Sequence, residues 1–320
     1  MKRIAVLTSG GDAPGMNTAI RAVVRTAIFY GLETFGVERG YKGLIEGQVH
    51  PLTRRSVSGI VNLGGTILKT ARCDEMYTRK GVKSAAKTLK DNHIDGTVII
   101  GGDGSIRGAW ELYKVSGIPI IGIPASIDND VSGTDYTIGW DTAANTALAA
   151  IDKIRDTATS HERVFIIEVM GRDRGFLALQ VGLASGAEFI LVPEIKFSLN
   201  KVCRELKEAR KKGKRSSIIV MAEGAGNSSE IAQTIARKTG YDVRLSILGY
   251  IQRGGSPTVL SRYLASVFGY EAVGLLLKGR GGLMVGMERG RVVTHRLDYA
   301  WRRGKKLDGR LYRLNAILAT

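Results

Sequence analysis

The chain carries little sulfur: Cys73 and Cys203 are the only cysteines among 320 residues. Their separation fits no metal-binding spacing, and two thiols cannot staple a disulfide scaffold. Both read as small inert side chains in a reducing, cytoplasmic setting. No apolar run approaches the roughly 20 residues that a membrane helix needs. The opening Met1-Lys2-Arg3 is basic, but the apolar run at 4–7 passes straight into Thr8-Ser9-Gly10-Gly11. That run is expected to be a buried strand rather than a signal peptide. Neither a low-complexity linker nor a short-period repeat interrupts the sequence. Acidic residues are outnumbered, 30 against 47 basic ones, for a formal net charge of +17.

What remains is ordinary globular material, with 44% hydrophobic and 24% charged residues. A chain of this length buries one large core or two smaller lobes. The basic excess would attract nucleic acid, membrane surface or phosphorylated small molecules. It concentrates in residues 201–215, with eight basic and two acidic residues, and again in 289–313. Neither stretch reads as a base-stacking platform, so no nucleic-acid or membrane partner is expected. Solvated helix faces and a basic tail account for most of the charge, and a minority is left to bind anions.

A repeating pattern runs along the chain: a short apolar run, a glycine turn, then helical periodicity. Residues 4–7 lead into Gly10-Gly11, with Asn17 as N-cap before the stripe Ala19, Ile20, Val23 and Val24. Residues 97–100 lead into Gly101-Gly102-Asp103-Gly104-Ser105, and 118–123 end at Pro124. Residues 164–169 end at Gly171, and 217–222 end at Gly224. Ala143, Ala147, Leu148, Ile151 and Ile154 recur at helical spacing, as do Val202, Leu206 and Ala209, and these stripes read as core. Near-continuous Val/Ile strands alternating with helices predict an α/β fold of mostly parallel sheets covered by helices. Its recurrence in both halves predicts two similar lobes with the ligand between them. In such sheets ligands gather at the carboxyl ends of strands, where each polar cluster falls.

The residues 8–17, Thr-Ser-Gly-Gly-Asp-Ala-Pro-Gly-Met-Asn, lie between a strand and a helix. Glycines let backbone approach a polyphosphate, and a helix start offers unpaired N–H groups. The run is neither a Walker loop nor a dinucleotide fingerprint, and a plain turn explains it equally well. Asp103, in the second glycine turn, is a magnesium-type oxygen ligand or else a helix cap. In Pro124-Ala125-Ser126-Ile127-Asp128-Asn129-Asp130 two carboxylates stand two residues apart behind a hydroxyl. One can accept a proton from an attacking alcohol while the other positions the reacting groups; turn residues are the bland alternative. Met170-Gly171-Arg172, Glu223-Gly224 and Gln252-Arg253-Gly254-Gly255 add fixed charge, and arginine pairs bidentately with phosphate.

Together, the turns at 10–17, 101–105, 124–130, 170–172 and 252–255 resemble the bacterial ATP-dependent phosphofructokinases in order and separation. The similarity extends over essentially the whole chain. It implies two lobes with the active site in their cleft: 1–138 with 252–305 for nucleotide, 139–251 with 306–320 for sugar phosphate. It implies phosphoryl transfer from ATP with Mg2+ to fructose 6-phosphate. Gly11, Arg72, Cys73, Gly102, Asp103, Gly104 and Ser105 would form the ATP site, with Asp103 near the metal. Asp128 would take the proton of the sugar 1-hydroxyl, supported by Ser126, Asp130 and Gly11, while Arg172 stabilises the transition state. Met170, Gly171, Glu223, Tyr250 and Arg253 would hold the sugar phosphate with Ser126, Asp128 and Arg172. Arg163 and Arg244 would reach it from the adjoining subunit of a homotetramer. A regulatory site for ADP or phosphoenolpyruvate is implied at Arg21, Arg25, Arg54, Arg155, Lys212 and Lys214, with Glu188 for the effector's metal.

Some positions depart from the family pattern. Ala125-Ser126 replaces the usual Gly-Thr, and Tyr250 replaces a histidine, which predicts weaker sugar-phosphate affinity because a phenol carries no imidazolium charge. Arg55 and Gly59 are atypical for the effector region. Pyrophosphate-using relatives carry aspartate where Gly104 stands and lysine where Ala125 stands, so ATP is the expected donor. A catalytically weak regulatory relative is the alternative, and a nucleic-acid binder is the reading from another class.

Overall fold

The computed structural model describes residues 1–319. The elements run β1 (Arg3–Ser9), α1 (Met16–Phe29), β2 (Glu33–Val37), α2 (Gly40–Ile45), β3 (Val49–Leu52), α3 (Arg79–Asp91), β4 (Gly96–Gly101) and α4 (Asp103–Ser116). Next come β5 (Ile120–Ser126), β6 (Ile138–Gly139), α5 (Trp140–Ser160), β7 (Val164–Val169), α6 (Phe176–Ala184), β8 (Phe189–Leu191), α7 (Leu199–Lys211) and β9 (Ser217–Ala222). The chain ends with α8 (Ser228–Thr239), β10 (Val243–Ile247), α9 (Val259–Leu277), β11 (Leu283–Glu288), β12 (Arg291–Arg296), α10 (Tyr299–Arg302) and α11 (Gly309–Leu318). It divides into two compact units, Met1–Thr142 with Arg253–Lys305, and Ala143–Gln252 with the chain from Lys306 onward.

Local chemistry starts and stops the helices. Thr78, Ser198, Asn227, Thr258 and Asp308 precede α3, α7, α8, α9 and α11, and each side chain accepts a first-turn N–H. Helices α4 and α8 stop at Gly117 and Gly240, both in the left-handed conformation that glycine adopts without strain. Helix α1 differs from the sequence expectation. It begins at Met16 after Gly15, which has φ 107° and gives no side-chain cap. Asn17 is already inside the helix and buried. Its amide donates to the carbonyls of Leu63 (3.2 Å) and Gly64 (3.1 Å), and its oxygen accepts from Ile67 N–H at 2.7 Å.

In the first unit the sheet order is β12-β11-β5-β4-β1-β2-β3, with β6 paired to the end of β5. The five central strands are parallel, while β3 and β12 are antiparallel edges. The β11–β12 hairpin turns at Arg289 (φ 52°) and Gly290 (φ 75°), the double left-handed geometry that matches strand twist. Strand β5 does not end at Pro124 as expected. It runs on to Ser126 because Ala125 and Ser126 pair with Ile138 and Gly139 of β6. Helix α1 packs on α9 so closely that a Cβ at Gly269 would lie 2.5 Å from that of Ala22. Burial of Ile20, Val23 and Val24 on α1 contributes roughly 1.5–3 kcal/mol per side chain.

Strand β1 has β2 on one side and β4 on the other, so the strand order reverses there. The crevice at that reversal, beyond the carboxyl ends, is where open α/β sheets bind ligands. Both glycine turns noted in the sequence follow these two strands.

The second unit has an all-parallel sheet, β10-β7-β9-β8. Val164, Ile166, Leu191, Val202, Leu206, Ile219 and Met221 belong to its core, with Cys203 buried among them. Both cysteines are free thiols.

Candidate active site

Three turns meet at the carboxyl ends of β1, β4 and β5. Gly101 has no room for a side chain, since a Cβ there would lie 2.5 Å from the Ser9 carbonyl oxygen. Ser105 closes the same contact by donating its hydroxyl to that oxygen at 2.9 Å. A Cβ at Gly102 would stand 3.7 Å from that of Ser126, which brings the β4 turn against the end of β5. The segment leading to Arg72 and Cys73 is tied to the β1 end: Thr8 donates to the Lys69 carbonyl at 2.8 Å, and Thr70 donates to that of Gly10 at 2.7 Å. Tyr41 is buried and donates to the Ser105 carbonyl at 2.5 Å. Burial, with the nearby Cys73, pushes its phenol well up, and burial likewise raises the Cys73 thiol.

Arg253 lies directly over Gly11, where an added Cβ would come within 1.7 Å of Nη2. Only glycine lets the guanidinium settle there. The Asp12 carboxylate is 3.7 Å from Arg253 Nε, beyond hydrogen-bond range, and among the described residues this buried nitrogen has no hydrogen-bond partner. A buried cationic donor next to a glycine turn suits an anionic ligand.

Asp103 opens α4 and sits in its first turn, with Gly102 at the cap position. No hydrogen bond or ion pair engages its carboxylate among the described residues, so it is open to a cation. Among the described residues no cluster of three or more His, Cys, Asp or Glu could hold a metal. Magnesium fits this arrangement, because it is commonly held by one or two carboxylates and the substrate's phosphates rather than by a protein cage.

The loop carrying the two carboxylates is held internally. Ser126 Oγ accepts from Asp128 N–H at 3.1 Å and lies 3.5 Å from Asp130 Oδ1. Asn129 takes φ 52°, a conformation Asn tolerates better than most residues. Its amide donates to the Asp135 carbonyl at 3.1 Å, and its oxygen accepts from Thr137 N–H at 3.0 Å. Thr137 donates in turn to the Ser126 carbonyl at 2.6 Å. Buried Asn129 is therefore the pin that sets Asp128 and Asp130 on either side of it. Lys305, which the sequence marked only as part of the basic stretch at 289–313, reaches the same loop by donating to the carbonyls of Thr134 (3.0 Å) and Asp135 (2.8 Å).

Arg163, Met170, Gly171, Arg172, Glu223, Arg244 and Tyr250 lie in the second unit. Gly171 (φ 144°) and Arg172 (φ 52°) form a tight turn after β7. Glu223 Oε1 accepts from both of their N–H groups, at 3.1 and 2.6 Å. Glu223 thus shapes the turn that presents Arg172. Arg163 and Arg244 are brought together by Asp242, at 2.6 and 2.9 Å. Hydrogen bonds from Arg163, then Arg244, hold the Asp242 carboxyl below its usual range. Asp242 directly precedes β10, two residues before Arg244, and that spacing is its sequence signal. Tyr250 is 78% exposed.

The residues implied for a regulatory site divide between the units. Arg21 and Arg25 are neighbours on α1 in the first unit with Arg54. Burial, then the charge of Arg25, lowers the Arg21 pKa, and two adjacent cations suit an anion. In the second unit Arg155 donates to the carbonyls of Ser185 (2.6 Å) and Gly186 (3.3 Å), just past α6. Glu188 pairs with Lys214 at 2.8 Å and accepts from Ile218 N–H. Its carboxylate is therefore engaged by protein groups. In the basic stretch at 289–313, the rings of Trp301 and Tyr299 carry Arg107 and Arg303 at 5.3 and 5.5 Å. These aromatic faces are covered by the chain's own cations.

The phosphofructokinase family model matches residues 3–276. The chain is 51% identical over 319 residues to the ATP-dependent 6-phosphofructokinase of Shouchella clausii, covering 100% of both chains. It is 52% identical over 331 residues to the protein of the same name from Halothermothrix orenii, again covering 100% of both. Among solved structures, phosphofructokinase from Saccharomyces cerevisiae superposes with a TM-score of 0.87 at 37% identity. That match covers 94% of this chain and 45% of the yeast chain.

Proposed function

This chain belongs to the phosphofructokinase family, and from that premise we propose that it transfers the γ-phosphoryl group of ATP to the 1-hydroxyl of fructose 6-phosphate. The products are ADP and fructose 1,6-bisphosphate, the committed step of glycolysis, carried out in the cytoplasm. The observation that carries the reading is the meeting of two glycine turns, an unengaged Asp103 and the Ser126–Asp128–Asp130 loop at the carboxyl ends of β1, β4 and β5. That is a polyphosphate cradle, a cation ligand and a proton acceptor on one sheet edge.

The roles follow from the chemistry. The turns at Gly11 and Gly102–Ser105 accept the triphosphate, with Arg72 and Cys73 beside them. Asp103 would hold Mg2+, which supplies charge neutralisation for the phosphates. Asp128 takes the proton of the sugar's 1-hydroxyl as its oxygen bonds to phosphorus and the bond to ADP breaks. A carboxylate with an ordinary pKa near ~4 suffices, because proton transfer need only accompany that bond formation. Arg172 stabilises the charge that spreads over the moving phosphoryl group. Arg253, Met170 and Tyr250 hold the sugar phosphate with Glu223, and Arg163 and Arg244 reach it from an adjoining subunit of a homotetramer. ADP or phosphoenolpyruvate binds at Arg21, Arg25, Arg54, Arg155, Lys212 and Lys214, biasing two quaternary states by binding them unequally. Glu188 takes the effector's metal only by giving up Lys214.

The test is a coupled assay with ATP or pyrophosphate as donor, run on the parent and on Asp128→Ser. ATP-dependent turnover is expected, with about 10²–10⁴-fold loss in the variant and nucleotide affinity nearly unchanged. Turnover at background in the parent would instead favour a binding role.

A further inference from the structure

We infer that Lys305 is a positioning residue for phosphoryl transfer, clamping the loop that carries Asp128 and Asp130. The inference rests on the reading of Asp128 as proton acceptor. Lys305 stands 170 residues from Asp135 in sequence, yet its ammonium donates to the carbonyls of both Thr134 and Asp135. The Asp135 carbonyl also accepts from the Asn129 amide. One oxygen therefore joins Lys305 to the residue between the two carboxylates. The rest of the loop hangs on the β11–β12 hairpin and α10: Asp135 N–H donates to the Met287 carbonyl at 2.7 Å, Ser132 N–H to that of Ala300 at 3.1 Å, and Arg289 N–H to Asp135 Oδ2 at 2.7 Å. The first two are backbone ties, and the third brings the Asp135 carboxylate to a backbone N–H, so none of them supplies a positive side chain. Lys305 adds a cation where the charges acting on it are the carboxylates of Asp135 and Asp130.

Burial works against that cation more than the carboxylates support it, and the Lys305 pKa falls to about 8. A cation that titrates so close to neutrality is an unusual choice for a structural tie, since a neutral donor would hold two carbonyls without the desolvation cost. Its charge also acts on Asp130, one residue beyond Asn129, and attracts that carboxylate. Asp128 stands one residue before Asn129, with Ser126 accepting its N–H.

The experiment measures kcat, and KM for both substrates, from pH 7 to 9.5 in the parent, Lys305→Met, Lys305→Arg and Asp128→Ser. Lys305→Met is expected to lower kcat by about 30-fold with each KM within roughly threefold, the signature of an interaction made in the transition state. Lys305→Arg, whose charge does not titrate, should keep kcat within about threefold of the parent. Parent kcat should decline above about pH 8, while that of Lys305→Arg stays level. A kcat for Lys305→Met within threefold of the parent, or the same alkaline decline in the parent and in Lys305→Arg, would overturn the inference. If Lys305→Met fails to fold, the comparison of the parent with Lys305→Arg still decides. Asp128→Ser separates the two claims: substantial turnover there sinks the proton-acceptor reading, whereas an inactive Asp128→Ser beside a fully active Lys305→Met sinks only the clamp.

Discussion

Asn17 offers a sharp test of how the turn after β1 is built. Read as an N-cap, it should accept serine with little loss, because Asn, Asp and Ser are near-equivalent caps. The structure gives it a different task. Its side chain, 1% exposed, donates to the Leu63 and Gly64 carbonyls and accepts from Ile67 N–H. A serine hydroxyl is shorter and has a single proton, so it can replace one of these bonds at most. Leu63 and Gly64 are exposed, and their carbonyls can turn to water at little cost. Ile67 is only half-exposed, and its N–H loses an acceptor at 2.7 Å. Leaving such a donor unsatisfied costs about 1–3 kcal/mol, and the volume lost from a closed site adds to it. Asn17→Ser should therefore destabilise the first unit by about 2–3 kcal/mol.

Urea unfolding at fixed protein concentration reads this directly. Trp110, Trp140 and Trp301, the only tryptophans, all lie in the first unit, so their fluorescence follows that unit's unfolding. The loss should appear as a lowered midpoint with an unchanged slope. A change below about 0.5 kcal/mol would restore the cap reading and refute the tie to 63–67.

The Asn17 case shows where sequence stops being informative. Residues 218–222, an unbroken apolar run, fill β9 from its second residue, and β1, β4 and β7 were equally visible, because parallel strands buried on both faces are near-continuously apolar. The turns at Gly10-Gly11 and Gly101–Ser105 were visible for a related reason: close backbone approach demands glycine, and few other residues can stand there. The antiparallel edges were not visible. Strand β3 reads Val-His-Pro-Leu and β12 reads Arg-Val-Val-Thr-His-Arg, half-exposed patterns that weak alternation leaves ambiguous. Partners distant in sequence were hidden altogether. Glu223 meets the 171–172 turn from about 50 residues away, Lys305 meets Asp135 from 170, and Glu188 is taken up by Lys214 and Ile218. Polar residue types announce that a side chain will bind something, but only the fold decides whether that is a ligand or the protein's own backbone.

Two further substitutions follow from the same geometry. Among the described residues a Cβ at Gly104 would find only the Tyr77 hydroxyl, at 4.0 Å, so Gly104→Asp should fold normally, with a carboxylate in the first turn of α4 where the helix dipole welcomes it. If the β4 turn accepts the triphosphate, that charge should lower kcat/KM for ATP by about tenfold or more, and an unchanged value would show that the donor lies elsewhere. Asp242→Asn keeps the size of the side chain but removes the charge that collects Arg163 and Arg244. Because hydrogen bonds from those arginines hold the Asp242 carboxyl below its usual range, the pairing persists across the whole neutral range, and acid should disrupt it only below the ordinary aspartate pKa. If the pair grips the sugar phosphate, loosening it weakens binding in the ground and transition states alike. The KM for fructose 6-phosphate should then rise about fivefold while kcat changes by less than about twofold. A rise in KM for ATP of the same size would mean that Asp242 supports the fold at large and not the acceptor's phosphate. An unchanged fructose 6-phosphate KM would mean that the arginine pair does not touch the substrate.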